Sequence, residues 1–400
     1  MRATEADKPY PAGRECSPGK RSRCKKMRLT NTQLPKKHSP ETIRSEVERL
    51  YDFTSFELPG LMSGGTESAG WQFKTDEGPW IAKVFAPYEG LFKRIAEELQ
   101  LYDYLSKQGI NVPRVLTSKR LQRMEIIRIG MYGYPIVVMK CEDLRHTRPA
   151  SIQKAELLKI AQTVARMHQC LKLYPMREKP MIRDKTTFGK VVISLKKIFW
   201  KTAGKYRPLS TNSRCDNFMI RGDSTGYDVL AVSPIAGTFS PEHLSRIQAL
   251  DRQMKAYLAS HSPLSCITKS LLHGDLSLEH APFLPNGDVY LYDFADYAWG
   301  AVAEDLAKLL ERMYAVDDIT FDRWEELKDW LLKGYDAASH LTPEDLEAIL
   351  PFMMRALLVR ITFRCNISRK PYGEVDSRCI ERRYRLADYL LGSYGSRIGQ

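Results

Sequence analysis

The chain has 400 residues, 43% of them hydrophobic, and a formal charge of +13. That is enough length for two or three domains with real cores, and no apolar run approaches the roughly 18 to 20 residues of a membrane span, so a membrane protein is not expected. Eight cysteines, at positions 16, 24, 141, 170, 215, 266, 365 and 379, include no C-x-x-C pair, which argues against a zinc site or a disulfide framework and for the reducing cytoplasm.

The charge is uneven. Residues 1–40 hold 11 Lys/Arg against 3 Asp/Glu, a net of +8 that leaves +5 for the other 360. Rich in Pro, Gly and Ser and without apolar periodicity, this tail is expected to be disordered. No aromatic residues interleave its basic cluster, so a solvated tail is the better reading than a nucleic-acid arm. No apolar h-region of a secretory signal follows its basic residues, and Met27 is a second candidate start. From Ser39 the run SPETIRSEVERLYDF reads as a capped amphipathic helix with Pro40 at its first helical position.

Leu61 to Phe85 reads as three strands, with a glycine turn at Gly64-Gly65-Thr66 and a second turn at Asp76-Glu77-Gly78-Pro79. The glycines would let backbone N–H groups approach nucleotide phosphates, and Ser68 would add a hydroxyl. Two glycines also make ordinary hairpins, so the signal gains weight only from Lys83. That lysine interrupts the apolar strand Trp80-Ile81-Ala82-Lys83-Val84-Phe85, and a cation pointing inward needs an anionic partner.

Leu91 to Lys107 has helical spacing and carries two acidic candidates for such a partner, Glu97 and Glu98. Arg120 to Val138 supplies two more strands, turning near residues 130–133. Ser151 to Cys170 is a long helix in which His168 reads as a packed core histidine. Residues 175–240 are the least legible, a basic stretch and loop in which Asp216, Arg221 and Asp223 read as solvated charges, followed by a possible helix from Pro241 to Ser260. Beyond Asp305 the pattern is helical to the end, broken near Asp317, Leu341-Thr342-Pro343 and Lys370-Pro371-Tyr372-Gly373.

Most of the chemistry lies between Leu271 and Leu310. The apolar runs Ala281 to Leu284 and Val289 to Tyr292 flank Pro285-Asn286-Gly287-Asp288, and an Asn-Gly step between short apolar runs signals a hairpin. Pairing the two runs brings Asp275 to His280 beside Asp293 to Asp296, so carboxylates 18 positions apart share one end of the hairpin. Clustered carboxylates repel unless a cation lies between them or one works as a base. Hard oxygen ligands suit Mg²⁺, which brings substrate phosphates with it. The residues therefore point to a metal-phosphate site with a spare carboxylate.

The pattern HGDxxxxH, hairpin, DFxDxxxGxxxxDLA resembles the aminoglycoside-phosphotransferase-like family of small-molecule kinases. The resemblance implies a bilobal α+β protein-kinase-like fold, with a β-rich first lobe over about residues 41–140 and a mostly helical second lobe over about 141–400. It implies ATP or GTP with Mg²⁺ as cofactors and a small-molecule hydroxyl as acceptor. Asp275 would accept the hydroxyl proton, Asp293 would hold Mg²⁺, and His273 and Asp305 would buttress the loop. Lys83 would grip the α and β phosphates. Counting back from Gly109-Ile110-Asn111-Val112-Pro113 selects Glu98 as its partner. The nucleotide base would meet the backbone from Met139 to Cys141, because flat purines need fixed donors and acceptors in an apolar slot.

One position departs from the family's commonest pattern: His280 stands where most members carry Asn. Imidazole offers Mg²⁺ a nitrogen where oxygen is preferred, so His280 acts as a weak second ligand, through a water, or as a spacer. Two rivals follow, a protein kinase and a catalytically silent nucleotide-binding module. Neither an HRD loop nor an APE segment is present to support the first, and the second has no need of Asp275, Lys83 and Asp293 together. The acceptor itself is not encoded in these motifs.

Overall fold

A computed structural model describes residues 39–53, 57, 59–62, 68–86, 91–129, 132–175, 245, 249, 252, 267–367 and 377–394. Outside them lie the basic tail, Gly64-Gly65-Thr66, the loop with Asp216, Arg221 and Asp223, nearly all of the 241–260 stretch, and the break at Lys370.

Helix α1 (Pro40–Leu50) begins as its sequence predicts, with the Ser39 side chain accepting from the Thr42 N–H at 3.2 Å and Pro40 in the first turn. Its buried stripe, Ile43, Val47 and Leu50, packs with Trp71, Phe73, Trp80, Val84 and Ile136 into a first core. Fully burying apolar side chains of this size contributes roughly 1.5–3 kcal/mol each.

Five antiparallel strands make the sheet beneath that helix: β1 (Gly60–Leu61), β2 (Ser68–Thr75), β3 (Gly78–Phe85), β4 (Glu125–Ile129) and β5 (Tyr132–Lys140), in the order β1-β2-β3-β5-β4. Lys83 lies on β3, the central strand, opposite Gly70 on one side and Val137 on the other. Helix α2 (Leu91–Lys107) buries Leu91, Ile95, Leu99, Leu101, Tyr102 and Leu105. That face belongs to the second, larger core, so the sheet lobe and the helical lobe are joined through α2.

The helical lobe begins with α3 (Lys154–Lys172), capped reciprocally by Gln153 and Glu156 and therefore starting three residues later than the sequence suggests. It continues through β6 (Lys269–Leu272), β7 (Ala298–Ala301), α4 (Val302–Val316), α5 (Phe321–Ala338), α6 (Pro343–Ile367) and α7 (Ser377–Tyr394). Periodicity did not reveal the antiparallel β6–β7 pair, in which Lys269 faces Ala301 and Leu272 faces Ala298. It brackets the motif region by clamping the residues before His273 to those after Asp296. No helix among the described residues is long and apolar enough to cross a membrane.

Candidate active site

The two apolar runs around Asn286-Gly287 do fold back on each other, but as a short bridge rather than a long ladder. Leu284 N–H donates to the Asp288 carbonyl at 2.8 Å, Tyr290 N–H to Pro282 at 2.9 Å and Tyr292 N–H to His280 at 3.3 Å. Gly287 turns at φ +79°, a conformation that favours glycine. Loops from the sheet side secure the hairpin: Arg145 and Phe283 exchange backbone bonds of 2.9 and 3.0 Å, and Leu291 donates to Asn111 at 2.9 Å. The Asp275 loop and Asp293 are thereby set side by side.

Asp305, fully buried on α4, organises the loop. Its carboxylate accepts from the backbone N–H of His273 at 2.7 Å and of Gly274 at 2.9 Å, and from His168 Nε2 at 3.1 Å. His168 in turn lies 2.9 Å from the Tyr335 hydroxyl, so the packed histidine also fixes Asp305. Burial would raise the Asp305 carboxyl's pKa, but His168 and the neighbouring cations overcome it and the net direction is down. Lys308 completes the support by donating to the Gly274 carbonyl at 2.9 Å. Gly274 has φ +83°, and a Cβ there would stand 1.8 Å from the Asp296 carbonyl oxygen, so only glycine fits.

His273 has its tautomer defined by its neighbours. Its Nε2 faces the Tyr292 carbonyl at 2.9 Å and must carry the proton, while Nδ1 accepts from the Asp275 N–H at 3.3 Å. Burial, reinforced by His280, lowers its pKa to about 4, so it stays neutral near pH 7.

Asp293 adopts the left-handed conformation, φ +65°, strained for a non-glycine residue. Its Oδ1 is 3.1 Å from Lys83 Nζ, a bond across 210 positions that joins β3 to the helical lobe. The lysine outweighs burial and brings the Asp293 pKa down to about 2. For Lys83, burial pulls downward, but Asp293 and Glu98 more than offset it and the ammonium is held above its ordinary value.

Glu98 does not close on Lys83. It is buried and accepts from the Tyr102 hydroxyl at 2.7 Å, and that hydroxyl accepts from the Asp293 N–H at 3.2 Å. It reaches Lys83 as a nearby negative charge and supports Asp293 through Tyr102, a residue sequence reasoning missed. Glu97, the other candidate, bonds instead to the Tyr297 hydroxyl.

His280 is oriented toward Asp293. Its Nδ1 donates to the Asp275 carbonyl at 2.7 Å, which leaves the Nε2 lone pair facing Asp293 Oδ2 at 3.9 Å. The Asp293 carboxylate suits a hard cation that takes its other ligands from water and phosphate, whereas the imidazole nitrogen beside it is a poor match for one. Among the described residues no group of three His, Cys, Asp or Glu converges as a metal cage.

The remaining nucleotide candidates are less gathered. Ser68 opens β2 opposite Phe85. Met139 pairs with Ile81 in the β3–β5 register, and the Lys140 and Cys141 N–H groups donate to Arg114 at 2.9 Å and Pro79 at 3.0 Å. The Lys140 and Cys141 N–H groups are therefore already engaged within the protein.

Asp275 has partners no motif announced. Arg312 on α4 and Arg360 on α6 both donate to its Oδ1. Burial would raise its carboxyl's pKa, yet the two guanidiniums hold it well below the usual carboxylate range. The site therefore contains one carboxylate answered from the sheet lobe and one answered from the helices.

The profile of the phosphotransferase enzyme family matches residues 61–348. Among solved structures, the amicoumacin kinase hAmiN in complex with AMP-PNP, Ca²⁺ and Ami superposes with a TM-score of 0.61 at 16% identity, covering 88% of this chain and 94% of that one. A microcompartment-associated aminopropanol kinase gives 0.58 at 16%, covering 90% and 99%. Spectinomycin phosphotransferase APH(9)-Ia, in complex with ADP and its antibiotic, gives 0.55 at 11%, covering 87% and 97%. At these identities the likeness establishes the fold, a bilobal kinase-like α+β architecture. No curated protein matches the sequence.

Proposed function

The chain belongs to the phosphotransferase enzyme family, and from that premise we propose that it transfers the γ-phosphate of ATP or GTP to a hydroxyl of a small metabolite or antibiotic. The observation that carries the reading is the placement of Asp275 and Asp293 at one end of the hairpin, with Lys83 reaching Asp293 from the facing sheet. Asp275 takes the proton of the acceptor hydroxyl as its oxygen bonds to the γ-phosphorus. The bond to the bridging oxygen breaks, and the nucleoside diphosphate departs with that electron pair. Lys83 turns from Asp293 to the α and β phosphates when nucleotide enters.

Asp293, with His280 Nε2 beside it, would hold Mg²⁺, which supplies positive charge to the phosphate oxygens. The protein's own part is positioning: Asp305 and Lys308 hold the Asp275 loop, while Tyr102 holds the Asp293 backbone. Only seven residues separate Phe294 from α4, and four of them form β7, which leaves little chain for a protein-substrate platform and favours a small acceptor. The acceptors named for the structural neighbours, amicoumacin, aminopropanol and spectinomycin, support the class and not one compound.

A nucleotide-binding assay beside a phosphate-transfer screen, run with ATP and GTP over hydroxyl metabolites and antibiotics, tests the proposal. Acceptor-dependent release of nucleoside diphosphate is expected. Binding without transfer to any acceptor would favour the silent module.

A further inference from the structure

The charge around Asp275 is unbalanced. Arg312 and Arg360 share one of its oxygens, each giving one N–H of a guanidinium that has five. Glu311, the residue before Arg312, is bound by Arg383 in a buried ion pair. Among the described residues Arg312, Arg360 and Arg383 thus have two carboxylate partners between them, Asp275 and Glu311, and the unmatched charge lies where the acceptor hydroxyl must approach Asp275. Neither arginine is sealed in the core: their side chains are 13% and 27% exposed, and Asp275 is 24% exposed. Burial and the neighbouring Arg312 also lower the pKa of Arg360, in keeping with a cation that lacks its full complement of negative charge.

A pocket built for a polycation would place carboxylates here. Two guanidinium forks beside a proton acceptor match instead the planar, bidentate geometry of a carboxylate or phosphate. They also burden the base, since a carboxylate clamped by two cations is a poor proton acceptor.

We propose that the acceptor carries an anionic group, a carboxylate or a phosphate, beside the hydroxyl that is phosphorylated, and that Arg312 and Arg360 bind that group and so release Asp275 for the hydroxyl. The assignment rests on the phosphotransferase reading above and names its substrate class. The arginines are acceptor-specificity residues drawn from α4 and α6, outside the motif region that holds the nucleotide side of the site. The bonds made and broken are those of the proposed transfer; only the partner of the two guanidiniums changes, from Asp275 to the substrate's anion.

The full chain saturated with AMP-PNP and Mg²⁺ is titrated calorimetrically with glycerol, glycerate, glycerol 3-phosphate and kanamycin. Saturation keeps the phosphate probe out of the nucleotide site. At least one of the two anions should bind tenfold or more tightly than glycerol and than kanamycin, and the stronger of the two identifies carboxylate or phosphate as the group recognised. Arg360→Gln should weaken that binding at least tenfold, Arg360→Lys by less, and both should keep AMP-PNP affinity within twofold, which also shows that they fold. Equal binding of glycerol and the anions, tighter binding of kanamycin, or anion binding unchanged in the Arg312→Gln/Arg360→Gln double variant would overturn the assignment. A selective loss of AMP-PNP affinity in the arginine variants would also overturn it, by placing the guanidiniums on the nucleotide. Failure of wild type to bind AMP-PNP at all would instead strike the phosphotransferase reading.

Discussion

Asp293 and Asp275 stand at the same end of one hairpin, yet they are stabilised in opposite ways. Asp293 meets a single lysine from the sheet lobe, and that lysine is the largest influence on it. For Asp275 burial is the largest influence, and two arginines from the helical lobe are needed to overcome it. Proximity in the motif therefore does not make two carboxylates equivalent. In the proposed reading one would exchange its lysine for a metal and phosphates, and the other its arginines for an acceptor.

The sharpest separation of the two comes from removing each charge without changing its shape. Asp275→Asn should lower turnover by roughly 10²- to 10⁴-fold, the usual weight of a general base, while nucleotide affinity stays near wild type. Asp293→Asn should instead weaken Mg²⁺-dependent nucleotide binding by at least about tenfold, read by titration with and without the metal. Native turnover in Asp275→Asn would remove the distinction on which the comparison stands.

The support beneath Asp275 should be the less forgiving. Gly274→Ala forces a Cβ to within 1.8 Å of the Asp296 carbonyl oxygen, and a loss of about 4 kcal/mol or more, the range reserved for severe clashes, is expected in denaturant unfolding. An unchanged midpoint would mean that the loop adjusts freely.

Acid should loosen the same loop. His273, with a pKa of about 4 in the fold and about 6.5 when unfolded, binds a proton only in the unfolded chain between those values. Its contribution to stability is therefore complete above pH about 6.5 and is lost as pH falls toward about 4, a total of roughly 3 kcal/mol. Unfolding measured at steps from pH 7 to 4.5 should show that slope, and His273→Gln should flatten it.

The smallest effect is expected far from the site. Ser39→Ala removes the cap of α1 and should cost about 1 kcal/mol without altering nucleotide affinity. A large loss of affinity would show that α1 and its core control the placement of Lys83.

Much of this architecture was legible before the structure because the relevant signals are local. A Ser-Pro cap, an Asn-Gly turn and a lysine in an apolar strand each constrain only a few neighbouring residues, and they led to α1, the hairpin and β3 with Lys83. Asp275, Asp293 and His280 were assigned roles through the family resemblance, as was Glu98 over Glu97 as the partner of Lys83, and the structure gives Glu98 the Tyr102 hydroxyl in place of a direct bond to that lysine. What tertiary structure decided was who answers whom. Arg312 and Arg360 look like ordinary charges on helix faces until α4 and α6 are packed beside the Asp275 loop, and Tyr102 looks like core until its hydroxyl is found between Glu98 and Asp293. The β6–β7 pair was hidden for the same reason, since four-residue strands separated by 25 residues leave no periodic trace. Helical period and turn chemistry report the conformation of a segment; a charge's partner depends on the distance of closest approach between segments, which only the packed chain defines.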